Sequence, residues 1–147
     1  MSNKKEISIS LPSLDQQRFL ILKADTEQAI SILKENMGGK KFPKTEGVNY
    51  LTIDPRIFNT IEQGWVPPTS EIIDAWFTQV KTLFNEYGSD GKLGVLLGLQ
   101  GRSADRRIRA YRNGDEVIPY GVWRTFLELT GRAVVDVKPV LGIFDSE

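Results

Sequence analysis

Cysteine and histidine are both absent from the 147 residues of this chain. Without them the chain can form no disulfide, no cysteine–histidine zinc site and no thiolate nucleophile. Catalysis by a Ser-His-Asp or Cys-His arrangement is excluded for the same reason, and no close group of carboxylates suggests a metal site of another kind. We therefore expect no catalytic residues, no cofactor and no bound metal, and the sequence predicts a protein that is not an enzyme.

Long apolar runs are missing as well. No stretch approaches the roughly 18 apolar residues that a membrane span requires, and the N-terminus lacks the pattern of a signal peptide. The composition, 40% hydrophobic and 26% charged, is typical of a globular domain. These features predict a cytoplasmic protein that does not interact with a membrane.

The formal net charge is zero, because 19 Lys and Arg residues balance 19 Asp and Glu residues. This balance argues against a protein that binds polyanions through its whole surface. The distribution is uneven, since residues 102–112 contain five of the nine arginines and a single acid, Asp105. This arginine-rich segment is the strongest candidate for a functional site.

The first 68 residues show a mixed pattern. Alternation over residues 7–11 suggests an edge strand or an ordered arm, and the apolar run 19–22 predicts a buried strand. Apolar residues at helical spacing over 29–37 predict a helix, and residues 48–53 predict a second strand. We therefore expect residues 1–68 to form a small strand-helix-strand unit that serves dimerisation or contact with a protein partner.

The second part of the chain has a helical pattern that begins after the paired prolines Pro67 and Pro68. Four helices are predicted, over residues 71–87, from Asp90 or Gly91 to residue 99, and over residues 104–113 and 119–129. β-Branched residues over 133–137 predict a further strand. The expected fold is therefore α+β, with a four-helix domain over residues 69–131, the strand-helix-strand unit before it, and a C-terminal strand and tail over residues 132–147.

The predicted helix 104–113 has two different faces. At about 100° per residue, Ala104, Ile108 and Tyr111 fall on one apolar face, and Arg106 lies nearly opposite Ile108. Arg112 falls closer to the apolar face, which favours an ion pair with an acid near the helix end. The outer edges carry the remaining polar residues, which are Arg102, Ser103, Arg107 and Arg109. Ser103 is also the expected N-cap of the helix.

Residues 93–131, LGVLLGLQGRSADRRIRAYRNGDEVIPYGVWRTFLELTG, resemble the helix-turn-helix of phage repressor-like (lambda repressor-type, XRE) DNA-binding domains. The similarity lies in the apolar spacing, the glycines and the aromatic residues, and it extends over residues 69–131. The turn between residues 98 and 108 is longer than usual in that family, so a long-turn variant is the closer match. Arg112 stands where many members carry Glu.

The resemblance implies a sequence-specific transcriptional regulator of phage or mobile-element type that binds double-stranded DNA as a homodimer. The positions it assigns to DNA contact are Arg102, Ser103, Arg106, Arg107 and Arg109, because arginine donates well to guanine edges and to phosphates. The alternative is a non-enzymatic protein-interaction or inhibitor factor that uses the same helical fold.

Overall fold

Helices account for all regular secondary structure in residues 10–145, the part of the chain that the computed structural model describes. The five α-helices are α1 (Leu14–Asn36), α2 (Ser70–Leu83), α3 (Asp90–Leu96), α4 (Ser103–Asn113) and α5 (Tyr120–Leu129). Three short 3-10 helices lie at Tyr50–Thr52, Pro55–Phe58 and Asn85–Tyr87. The predicted α+β fold is therefore wrong, because no strand forms within the described residues.

The predicted strand at residues 19–22 is part of α1 instead. Ser13 and Gln16 form a reciprocal capping box, in which the Gln16 amide donates to Ser13 Oγ at 3.2 Å and the Ser13 amide donates to Gln16 Oε1 at 3.0 Å. No glycine or proline interrupts the next 23 residues. An apolar run of four residues fits a helix as well as a strand, and the cap selects the helix.

The strands predicted at residues 48–53 and 133–137 do not form either. Asn49 caps the 3-10 helix Tyr50–Thr52, since its Oδ1 accepts from the Leu51 amide at 3.1 Å, and this turn replaces the strand expected over 48–53. Residues 133–137 are irregular, because the described residues contain no partner strand with which they could pair. Of the expected strand or arm at residues 7–11, positions 7–9 lie outside the described part of the chain.

The chain divides into two compact units, residues 1–41 and residues 42–147. The sequence suggested a division near residue 68, whereas residues 42–69 belong with the helices that follow them. Trp123 Nε1 of α5 donates to the Ile57 carbonyl at 3.0 Å, and Arg124 Nη1 donates to the Phe58 carbonyl at 3.2 Å. The segment before the paired prolines is thus tied to the core of the second unit.

Aromatic side chains form the centre of the second unit. The Trp76 ring of α2 stacks on the Trp123 ring of α5 at 5.8 Å between centroids, and Phe77 lies 4.7 Å from Phe126. Trp76 and Trp123 are buried, and Trp65 packs at the edge of the same core. These aromatic rings of α2 and α5 thus belong to the same core as the buried side chains of α3 and α4.

Helices α3 and α4 pack closely, and a six-residue connection joins them. A Cβ atom added to Gly94 of α3 would lie only 3.0 Å from the Cβ atom of Ala104 in α4, so any larger residue here would push the two helices apart by a few tenths of an ångström. The connection, residues 97–102, turns at Gly98 and Gly101, whose φ angles of 90° and 74° favour glycine. Helix, turn and helix thus follow in the order expected from the sequence. Helix α3 begins at Asp90, one of the two predicted starts, and ends three residues earlier than expected.

Candidate nucleic-acid interface

Helix α4 turns its apolar face to the core and its arginines outward. Ala104, Ile108 and Tyr111 are buried, as the helical spacing predicted. Gly114 follows the helix with a φ angle of 86° and ends it in a left-handed conformation. Because the buried residues fix the rotation of α4 about its axis, the opposite face is held towards solvent.

All four arginines assigned to DNA contact are exposed, namely Arg102, Arg106, Arg107 and Arg109. Arg102, Arg106 and Arg109 follow one another at spacings of four and three residues, so they share one stripe along α4. Arg107 lies beside this stripe. We name these four residues the arginine face of α4.

The members of the arginine face differ in their pairing. Arg109 forms an ion pair with Asp105 one turn earlier, and the Arg109 side chain remains 60% exposed. Arg102, Arg106 and Arg107 have no carboxylate oxygen within 4.0 Å among residues 10–145. The face therefore presents three guanidinium groups whose charge is not compensated by an ion pair with another described residue.

The prediction that Ser103 is the N-cap of α4 is wrong. It is the first helical residue, and Arg102 occupies the N-cap position with helical φ and ψ angles of −67° and −19°. The Ser103 hydroxyl donates to the Gln100 carbonyl at 3.4 Å, so it binds the preceding turn rather than the helix amides. No side chain caps this end of α4, which retains the positive end of the helix dipole.

Arg112 belongs to the packing of the helices and not to the arginine face. Its Nη1 donates to both carboxylate oxygens of Asp90 at 2.7 and 2.9 Å, and its Nε donates to Asp74 Oδ1 at 2.8 Å. Lys81 Nζ donates to the same Asp90 at 2.9 Å. The sequence favoured an acid near the end of α4 as the partner, whereas these partners lie on α2 and α3.

Burial and neighbouring charges shift the pKa values of two residues of α4, Arg112 and Tyr111. Burial lowers the pKa of Arg112, but the hydrogen bonds and charges of Asp74 and Asp90 outweigh burial and leave that pKa raised. Burial raises the pKa of Tyr111, and the charge of Arg107 acts in the opposite direction. Arg107 is therefore close enough for its charge to act on the core-facing tyrosine.

Comparisons of the chain with protein-family models, curated proteins and solved structures find no match. Within residues 10–145, no helix is both long and apolar enough to cross a membrane. The same residues contain no group of three or more Asp, Glu, Cys or His side chains arranged to hold a metal ion.

Proposed function

We propose that the chain binds double-stranded DNA through the arginine face of α4 and acts as a sequence-specific transcriptional regulator without enzymatic activity. One observation carries this proposal. Arg102, Arg106 and Arg107 point away from a well-packed core, and no carboxylate of residues 10–145 lies within ion-pair distance of them. Phosphates and guanine edges are the groups that such a face would bind.

The placement of these charges costs stability in the free protein. Arg102 and Arg106 are like charges one turn apart, which destabilises a helix by a few tenths of a kcal/mol per pair. Both also lie at the N-terminal end of α4, where the helix dipole disfavours positive charge. A DNA phosphate at this end would compensate both effects, because helix N-termini bind anions.

The dimensions of the face suit the major groove. Arg102 and Arg109 are seven positions apart, which corresponds to about 10 Å along the helix axis. That length matches roughly three base pairs, and the major groove is about 12 Å wide, enough to admit an α-helix. Arg106, in the middle of the stripe, is the residue we assign to base edges, whereas Arg102 at the helix start is assigned to phosphate.

An acidic protein surface is the alternative partner for the same face. The Arg109–Asp105 ion pair illustrates that carboxylates can bind these guanidinium groups. If the partner is a protein, a pool of random duplexes should yield no enriched sequence. Binding of that protein would also lack the steep salt dependence that counterion release imposes on DNA complexes.

Selection of bound duplexes from a random pool tests the proposal. We expect enrichment of one motif, and we expect the triple variant Arg102→Ala/Arg106→Ala/Arg107→Ala to lose binding to it. Arg56→Ala is the matched control, because Arg56 is exposed, lies outside α4 and pairs with Asp54. Absence of an enriched motif, or equal loss of binding in the control, would contradict the proposal.

A further inference from the structure

Three donor groups lie together at Tyr50, in the second compact unit. The guanidinium carbon of Arg132, just after α5, lies 4.0 Å above the Trp76 ring, and its charge acts on the Tyr50 hydroxyl. Lys44 Nζ lies 5.2 Å from the centre of the Tyr50 ring. We name Lys44, Tyr50 and Arg132 the Tyr50 cluster.

The two cations of the Tyr50 cluster have no carboxylate partner within the described part of the chain. No carboxylate oxygen of residues 10–145 lies within 4.0 Å of Arg132 or Lys44. Burial lowers the pKa of Arg132, and the opposing effect of the Tyr50 hydroxyl does not restore it. A partly buried cation without a counter-charge is costly, so an anion bound at this guanidinium would stabilise the protein.

The Tyr50 hydroxyl is surrounded by donors. The Thr45 amide donates to the Tyr50 oxygen at 3.0 Å. The indole N–H of Trp76 acts on the same oxygen, although it is buried without a fully formed hydrogen bond. Burial raises the pKa of Tyr50, but hydrogen bonds and the charge of Arg132 outweigh burial and leave that pKa lowered. Among residues 10–145 the hydroxyl donates to no acceptor, so its proton is available to a ligand.

The backbone on both sides of the Tyr50 cluster is fastened to helices, beginning with residues 42–50. Gln79 Nε2 of α2 donates to the Pro43 carbonyl at 3.0 Å, and Gln79 Oε1 accepts from Thr45 Oγ1 at 2.7 Å. The backbone amide of Arg132 donates to a carbonyl of α5 at 2.9 Å. The donor groups are therefore held in place before a ligand arrives, which lowers the cost of binding.

We propose that the Tyr50 cluster binds the phosphate group of a small molecule. The cluster offers an ammonium, a guanidinium and a hydroxyl proton, and none of its three side chains carries a negative charge. A phosphate group supplies three strong acceptor oxygens and about two negative charges, which match the two cations and the hydroxyl donor. A carboxylate would compensate only one of the two cations. The proposal does not depend on DNA binding by α4.

The Tyr50 cluster lies on a different side of α2 from α4. Asp74 and Thr78 of α2 bond to Arg112 of α4 at 2.8 and 3.4 Å. Trp76, which lies under the cluster, is two positions from each of them, or about 200° around the helix. DNA bound at the arginine face would therefore not supply this phosphate, which makes a separate small molecule the expected ligand.

Calorimetric titration of the full chain with inorganic phosphate, at constant ionic strength in chloride, is the first test. We expect saturable binding at one site, and weaker binding of acetate, whose single charge compensates one cation. Arg132→Gln should weaken phosphate binding roughly ten- to a hundredfold, because it removes charge-assisted hydrogen bonds. Arg56→Gln is the matched control, because Arg56 is exposed, lies outside the cluster and pairs with Asp54. No saturable binding of phosphate, acetate binding of equal affinity, or equal binding by the two variants would overturn the proposal.

Two further variants keep the test decisive if Arg132→Gln destabilises the core on which its side chain packs. Lys44 is exposed, so Lys44→Gln leaves the core intact and should still weaken phosphate binding several-fold. Tyr50→Phe keeps the ring and removes the hydroxyl proton, and it should weaken binding as well. Tryptophan emission, from positions 65, 76 and 123, shows whether each variant is folded. Folded Lys44→Gln and Tyr50→Phe proteins that bind phosphate as the wild type does would overturn the proposal.

Duplex binding separates the two sources of a phosphate group, a small molecule and the DNA backbone. We expect Arg132→Gln and Lys44→Gln to bind the selected duplex as tightly as the wild type does, because the cluster is not part of the arginine face. Loss of duplex affinity in these folded variants would assign the cluster to the DNA backbone and overturn the small-molecule proposal. If the wild type binds no duplex, the titration with phosphate still decides the proposal, so its failure and that of the proposed function are distinguishable.

Discussion

Arg112 of α4 and Asp90 of α3 are held together by two hydrogen bonds from one guanidinium nitrogen, at 2.7 and 2.9 Å. Arg112 also bonds to Asp74 of α2, so one side chain near the end of α4 ties this helix to both of its neighbours. Asp90 is only 8% exposed and would be an uncompensated buried charge without its cations. The fifth arginine of the segment thus positions the helix on which the other four are exposed.

Replacing Arg112 should therefore destabilise the protein. We expect Arg112→Ala to lower the free energy of unfolding by about 2–3 kcal/mol, which is less than for a fully buried pair because Lys81 still compensates Asp90. Denaturant unfolding followed by tryptophan emission measures the change. Arg109→Ala is the control, since its exposed ion pair with Asp105 should contribute at most about 0.5 kcal/mol. Equal losses in both variants would contradict the positioning role of Arg112.

Two glycine substitutions should have different effects on stability, because Gly94 lies in the close contact between α3 and α4 whereas Gly121 faces open space. Gly94→Ala would bring its Cβ to 3.0 Å from the Cβ of Ala104 and 3.2 Å from Ile108 Cγ1. We expect a loss of about 1–3 kcal/mol from overpacking, which exceeds the gain in helix propensity. Gly121→Ala, in the first turn of α5, meets nothing within 4 Å and should be neutral or stabilising. A stabilised Gly94→Ala variant would contradict the close approach of α3 and α4 at this position.

Arg102 at the start of α4 is expected to bind phosphate. Arg102→Ala should weaken binding to the selected duplex and to a scrambled duplex by similar factors, because phosphate contacts carry no sequence information. It should also lower the slope of log K against log salt concentration by about one unit per half-site. Titrations at several salt concentrations measure both quantities, and an unchanged slope would rule out this contact.

The helices after the paired prolines could be predicted because their apolar residues recur at regular spacing. Local sequence predicted the buried face of α4 and its end at Gly114, and it placed the cap of α2 at Thr69 or Ser70, of which the structure selects Thr69. For α1 the sequence held a signal that the apolar run 19–22 obscured, namely the capping box at Ser13 and Gln16. A short apolar run does not distinguish helix from strand, whereas a capping box specifies the start of a helix.

The partners of Arg112 could not be predicted from local sequence. Asp90 and Asp74 precede it by 22 and 38 residues, and only the packing of three helices brings them together. The exposure of Arg102 and Arg106, by contrast, followed from the helix wheel alone. The sequence thus indicated which residues face solvent, whereas the long-range contacts that fix the helix required the structure.

Arg106 is the most direct test of DNA reading by α4, because it lies at the middle of the exposed stripe and opposite Ile108. Arg106→Lys keeps the positive charge but removes the planar fork that can bond to guanine O6 and N7 together. The measurement is the affinity of wild type, Arg106→Lys and Arg106→Ala for the selected duplex and for a scrambled duplex at one salt concentration. We predict that both variants lose about 1–3 kcal/mol on the selected duplex, whereas Arg106→Lys binds the scrambled duplex as the wild type does. Equal losses on the two duplexes, or full binding of the selected site by Arg106→Lys, would contradict base reading by this helix.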